Sequence, residues 1–128
     1  MAIQFTVSLQ KIMDDLSLET IFMPEEPSKI MISSADVNRP GLQLGGFFDF
    51  FDPKRVQIVG KSENAYLAQL SPEAREKSLE NYFAARPVAI IISRGNTPDP
   101  LMREKAEKYS VPLFRNFLIY LKSQIIYY

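Results

Sequence analysis

The sequence predicts an α/β fold, a mainly parallel sheet with flanking helices. Three observations carry this. Short apolar runs alternate with helical patterns along most of the chain. The run Val88-Ala89-Ile90-Ile91-Ile92 is continuously apolar, as a strand covered on both faces must be. Two helix-start signals, Ser71-Pro72-Glu73 and Thr97-Pro98-Asp99-Pro100, stand between such runs with a cap, a proline and an acid in order.

Ile3-Gln4-Phe5 reads as a short strand, after which Thr6 or Ser8 caps a helix. Leu9, Ile12, Met13 and Leu16 fall at i, i+3, i+4 and i+7 and form its single apolar stripe. Leu18 to Phe22 alternates as a strand does, and Pro24-Glu25-Glu26-Pro27 interrupts the chain. Ile30-Met31-Ile32 is predicted as a strand leading to a helix near Pro40–Phe50. Val56-Gln57-Ile58-Val59 leads to helices over 62–85, and Val88–Ile92 leads to a helix over 99–109. Val111–Phe114 is a last strand before a final helix. That helix is unusual, because from Phe117 to Tyr128 only Lys122, Ser123 and Gln124 are plainly polar. It is expected to pack in the core, on a partner subunit or on a following domain.

Composition narrows the functional classes. At 128 residues and 46% hydrophobic, the chain 1–128 is expected to be one soluble domain with its own core. The net charge is zero, but residues 1–50 carry net −4 and residues 51–128 net +4. Neither half has the run of like charge that marks a partner such as nucleic acid or an anionic membrane. With no Cys and no His, the chain has no disulfide, thiolate nucleophile, zinc-finger spacing or Ser-His-Asp triad. No signal-peptide pattern and no apolar run of membrane-spanning length is seen, so a cytoplasmic location is expected.

Chemistry is sparse. Gly60-Lys61-Ser62 ends a strand and opens a helix, as a phosphate loop does, but such a loop needs glycine where Arg55 stands. Asp14-Asp15, Glu25-Glu26 and the Glu73, Glu76, Glu80 series read as solvated faces with local ion pairs. No catalytic residue and no metal ligand set is expected. One constellation stands out. Ligands in parallel α/β sheets bind beyond the carboxyl ends of strands, where Ser33 to Gly41, Gly60 to Glu63, Ser93-Arg94-Gly95 and Arg115-Asn116 would lie. The candidate ligand-binding residues are Asn38, Arg39, Gly41, Lys61, Arg94 and Arg115, suited to an anionic or carboxylate-bearing ligand. Arg39 would sit at the mouth of a helix begun by Pro40-Gly41, with Gly41 allowing close approach or positive φ. In the alternative arrangement each arginine pairs with an acid such as Asp36, Glu63 or Asp99.

The segment Asp36-Val37-Asn38-Arg39-Pro40-Gly41-Leu42-Gln43-Leu44-Gly45-Gly46-Phe47-Phe48 resembles the signature of the N-terminal domain of bacterial HPr kinase/phosphorylase. The resemblance continues through Arg55–Glu63, Tyr66-Leu67, Leu70–Glu73, Ile90–Gly95 and Val111–Arg115. It implies part of an oligomeric, cytoplasmic enzyme, typically hexameric. Such an enzyme phosphorylates a serine of the phosphocarrier HPr with ATP or pyrophosphate and reverses that step, controlling carbon catabolite repression. ATP and Mg²⁺ would be bound by a C-terminal P-loop kinase domain that this chain lacks, so no cofactor is expected here. The partners implied are that kinase domain, neighbouring subunits in a homo-oligomer, and HPr for the full enzyme. The domain is also similar to the N-terminal substrate domain of Mur ligases, which holds a uridine nucleotide with an Asp-Ser-Arg…Pro-Gly segment. Here Asn38 stands where that serine would, and Pro40-Gly41 follows Arg39 at once. The reading is therefore a non-catalytic assembly or regulatory domain, with a free-standing sensor of small anionic ligands as the alternative.

Overall fold

A computed structural model describes residues 6–93 and 96–116. The strand expected at Ile3–Phe5, the candidate Arg94, and the final helix expected over 117–128 lie outside these residues. The order is β1 (Val7–Ser8), α1 (Leu9–Leu16), β2 (Glu19–Phe22), a 3-10 turn (Pro27–Lys29), β3 (Met31–Ile32) and β4 (Val37–Asn38). Then come α2 (Gly41–Leu44), β5 (Val56–Val59), α3 (Lys61–Gln69), α4 (Pro72–Ala84), β6 (Ile90–Ile92), α5 (Pro100–Tyr109) and β7 (Leu113–Arg115).

The main sheet has five strands in the order β2-β7-β6-β5-β4. Strands β4 to β7 are mutually parallel, and β2 joins β7 antiparallel at one edge. Side chains alternate across this sheet with the two-residue period of a strand. Val59, Ile90, Ile92 and Leu113 face Leu67, Leu79, Tyr82, Phe83, Met102 and Ala106 from α3, α4 and α5. Val56, Ile58, Ile91 and Phe114 face the other way, onto Leu9 and Ile12 of α1 with Val7 and Ile32. Burying each such side chain stabilises the fold by about 1.5–3 kcal/mol.

Helix starts follow the local chemistry. Ser8 Oγ accepts from the Lys11 N–H at 3.2 Å, Ser71 Oγ from Ala74 at 3.1 Å, and Asp99 Oδ1 from Leu101 at 2.9 Å. Helices α4 and α5 are joined by Lys105, which is buried and donates to Glu76 and, at 2.8 Å, to Glu80. Glu80 also takes bonds from Lys108 and the Tyr109 hydroxyl. Glu76 and Glu80 are thus part of an interhelical network and not simply a solvated face. The two carboxylates raise the Lys105 ammonium to about 12.

Three expectations are corrected. The strand expected at Ile30–Ile32 is not in the main sheet: β3 pairs antiparallel with β1 in a separate two-stranded ribbon. The parallel strand that precedes α2 is β4, which lies beside β5 with Val37 opposite Val56 and Asn38 opposite Gln57. The helix expected near Pro40–Phe50 is a single turn. Gly46 ends it at φ 97°, with its N–H on Gln43 O at 3.0 Å and the Phe47 N–H on Leu42 O at 2.9 Å. These two bonds form a Schellman closure, which needs a glycine at the left-handed position.

Candidate functional site

The carboxyl ends of β4, β5 and β6 bring Arg39, Gly60 and Ser93 together. Gly60 is buried and caps α3. A Cβ there would collide with the Arg39 guanidinium and press on Ser93 Oγ. The absent side chain therefore makes room for the arginine head. Glu63, at the third position of α3, reaches back to accept from the Gly60 N–H at 2.6 Å and from Arg39 Nη2 at 2.9 Å. This is the carboxylate half of a capping box. Burial alone would raise the Glu63 carboxyl; the hydrogen bonds from Arg39 and Gly60 and the Arg39 charge outweigh it, and the group titrates below its usual range.

Asn38 anchors the turn from beneath. Its Nδ2 donates to Gln57 Oε1 at 2.8 Å and to Gln43 Oε1 at 3.1 Å. Gln57 is fully buried in β5, donates to Arg55 O at 2.8 Å, and accepts from the Tyr82 hydroxyl at 3.0 Å. Burial, with the Glu63 charge adding to it, pushes the Tyr82 phenol well above its usual range, so it stays a donor. A buried network of this kind is stabilising because its members are mutually satisfied.

The remaining candidates lie as follows. Lys61 opens α3, is exposed, and has no hydrogen bond or ion pair among the described residues. Gly41 is exposed without positive φ, and a Cβ there would meet nothing within 4 Å, so neither close approach nor backbone strain requires it. Arg115 is turned away toward β2, where it pairs with Glu19 through Nε at 3.0 Å and Nη2 at 3.3 Å. The rim of Gly60 thus gathers Arg39 and Lys61, while Arg115 serves the opposite edge of the sheet. Strands β4 to β7 also lie in simple succession, so no reversal of strand order opens a crevice among them. Sequence reasoning named Glu63 as a possible arginine partner but missed Gln57, whose place in an apolar strand was its one signal, and the role of Gly60.

Nucleotide and Mg²⁺ do not fit this chain's glycine-lysine-serine run. The four residues before Gly60 are buried strand β5, and the Gly60 N–H is already taken by Glu63. Among the described residues no group of three or more acidic, histidine or cysteine side chains could hold a metal ion. No helix among them is long and apolar enough to cross a membrane.

Residues 7–122 match the family described as HPr Serine kinase N terminus. The chain belongs to that family. HPr kinase/phosphorylase of Clostridium beijerinckii is 37% identical over 113 residues, covering 88% of this chain and 37% of that protein. The Caldicellulosiruptor bescii enzyme of the same name is 38% identical over 111 residues, covering 87% of this chain and 36% of its own length. The chain spans little more than a third of the curated relatives it matches. The fold recurs in the regulatory region of a Clostridium perfringens pyrophosphatase, a structure of CBS and DRTGG domains complexed with the activator diadenosine tetraphosphate. There the TM-score is 0.57 at 21% identity, over 86% of this chain and 41% of that one. In this member of the HPr kinase N-terminal family, Asn38, Arg39 and Gly60 shape the carboxyl end of β4 and β5.

Proposed function

We propose that this chain is the non-catalytic assembly or regulatory domain of an enzyme that phosphorylates and dephosphorylates a serine of HPr in carbon catabolite repression. The match over residues 7–122 to an N-terminal family, in proteins of which the chain covers 37%, carries this reading. ATP and Mg²⁺ belong to the rest of that enzyme, since residues 55–62 cannot wrap a triphosphate. The domain would contact its own kinase domain, neighbouring subunits, or both.

Purified residues 1–128, given ATP, Mg²⁺ and HPr, should transfer no phosphate, and phosphoryl transfer by this chain alone would refute the reading. Conversely, a longer protein carrying this domain should keep phosphotransferase chemistry when the domain is deleted, while its assembly state or response to effectors changes. Complete indifference to the deletion would also refute it.

A further inference from the structure

We infer that the rim of Gly60 binds a small tetrahedral oxyanion, free phosphate or the phosphate of a phosphomonoester. The decisive residue is Ser93. It is 5% exposed, yet its hydroxyl makes no hydrogen bond among the described residues. The enclosed side-chain atoms without a partner among the described residues are Arg55 Nε and Asn64 Nδ2, so the Ser93 hydroxyl keeps contact with solvent and is open to water or a ligand. Ser93 Oγ faces the same space over Gly60 as the Arg39 guanidinium.

Further donors belong to Arg39 and to the residues that follow Gly60 in the chain. Arg39 uses only Nη2 toward Glu63, so its Nε–H and Nη1 groups have no acceptor among the described residues, and its side chain is 57% exposed. Lys61 is a cation without a partner among the same residues. The Lys61 and Ser62 N–H groups begin a nine-residue helix and cannot join its hydrogen-bond ladder. A planar carboxylate engages donors chiefly in one plane, whereas these come from a strand end, a helix start and a hydroxyl, which suits a tetrahedral ligand.

Glu63 sets the strength. Its carboxylate is 8% exposed and holds Arg39 in place, but it also offsets one of the two positive charges. The site therefore carries one net positive charge and should bind in the millimolar range, which corresponds to about −4 kcal/mol. The inference rests on the regulatory reading only for its purpose. Binding is measured on this chain alone, so its failure and that of the reading are separable.

The test is titration of the ¹⁵N-labelled chain with inorganic phosphate at constant ionic strength, followed by amide NMR. Saturable shifts should centre on Gly60, Lys61 and Ser93. Lys61→Gln should weaken binding about tenfold and Ser93→Ala about threefold. Both side chains lack partners, so neither loss should unfold the protein. Lys77→Gln, a charge control on the exposed face of α4, should bind as the unaltered chain does. Sulfate should compete and acetate should not. Glycerol phosphate binding at least as well as phosphate assigns the site to phosphomonoesters, whereas phosphate binding alone assigns it to the free ion. Absence of saturation, or equal weakening by Lys77→Gln and Lys61→Gln, overturns the inference.

Discussion

Replacing Gly60 by alanine tests the architecture of the strand-end site directly. The backbone there is extended, with φ −116° and ψ −157°, so alanine can adopt it and should gain about 0.4–1 kcal/mol through the unfolded chain. Against this, the new Cβ would occupy the place of the Arg39 guanidinium, which must swing out and abandon Glu63. A hydrogen bond to a charged group is worth about 1.5–3 kcal/mol. The lower end applies here because Arg39 is already 57% exposed and water takes over part of its solvation. The net expectation is a loss of about 1 kcal/mol, or a melting temperature lower by about 3–6 °C for a chain of this length. Gly41→Ala meets nothing within 4 Å and should instead raise stability by about 0.4–1 kcal/mol. In an Arg39→Ala background the penalty for Gly60→Ala should largely vanish. Urea or thermal unfolding of the parent and the four variants decides the matter. If Gly60→Ala is as stable as the parent, or costs as much with Arg39 absent, the steric reasoning is wrong.

Four other outcomes are expected. The folded Glu63 carboxyl titrates below its unfolded value, so its stabilisation is present above about pH 4.3 and is lost as pH falls through the folded pKa. Urea unfolding across pH 3–6 should therefore show a shallower acid dependence for Glu63→Gln than for the parent, and identical slopes would contradict the assignment. Asn38→Ala leaves the buried Gln43 carbonyl without its donor and should cost about 1–3 kcal/mol, measured by the same unfolding assay. Phe50 is fully exposed at φ 64°, a left-handed conformation costing a phenylalanine about 1–2 kcal/mol, so Phe50→Asn should be at least as stable as the parent. Self-association through the exposed Leu42, Phe47 and Phe50, followed by sedimentation at rising concentration, should fall with the same substitution.

The legible parts of the fold were those whose cause is local. Ser8 and Ser71 announce their helices because each cap acts on an N–H three residues away, whereas at α5 the cap is Asp99, bonded to the Leu101 N–H, and not the expected Thr97. Val56–Val59 and Ile90–Ile92 announce buried strands by apolar content alone. β4 could not be read this way. Its two residues lie in a polar stretch, and it is a strand because β5 stands beside it and Gln57 holds Asn38. Met31–Ile32 looks like a sheet strand by composition, and only its pairing with Val7–Ser8 decides otherwise. At the candidate site, Arg39 was visible from its motif, but the reason for Gly60 was not. That reason is an arginine twenty-one positions earlier, and nothing in the Gly60-Lys61-Ser62 run signals it.

Pairing of the early strand β2 with the late strand β7 sets the order in which the chain can fold. Glu19 meets Arg115 across 96 positions of sequence, and the Asn116 side chain donates to Leu16 O over 100. On the ribosome, α1 and β2 emerge first but have no edge to join until residues 113–116 have left the exit tunnel. The β5–β6–β7 units, each closed by its own helix, can assemble beforehand from contacts between near neighbours. Adding β2 is then the step with the largest loop to close, and such long-range closure slows folding. Any stop or cleavage ahead of Leu113 would leave β2 without the strand it pairs with and remove Phe114 from the face that covers α1, so quality control would see such a chain as unfinished near its beginning as well as at its end.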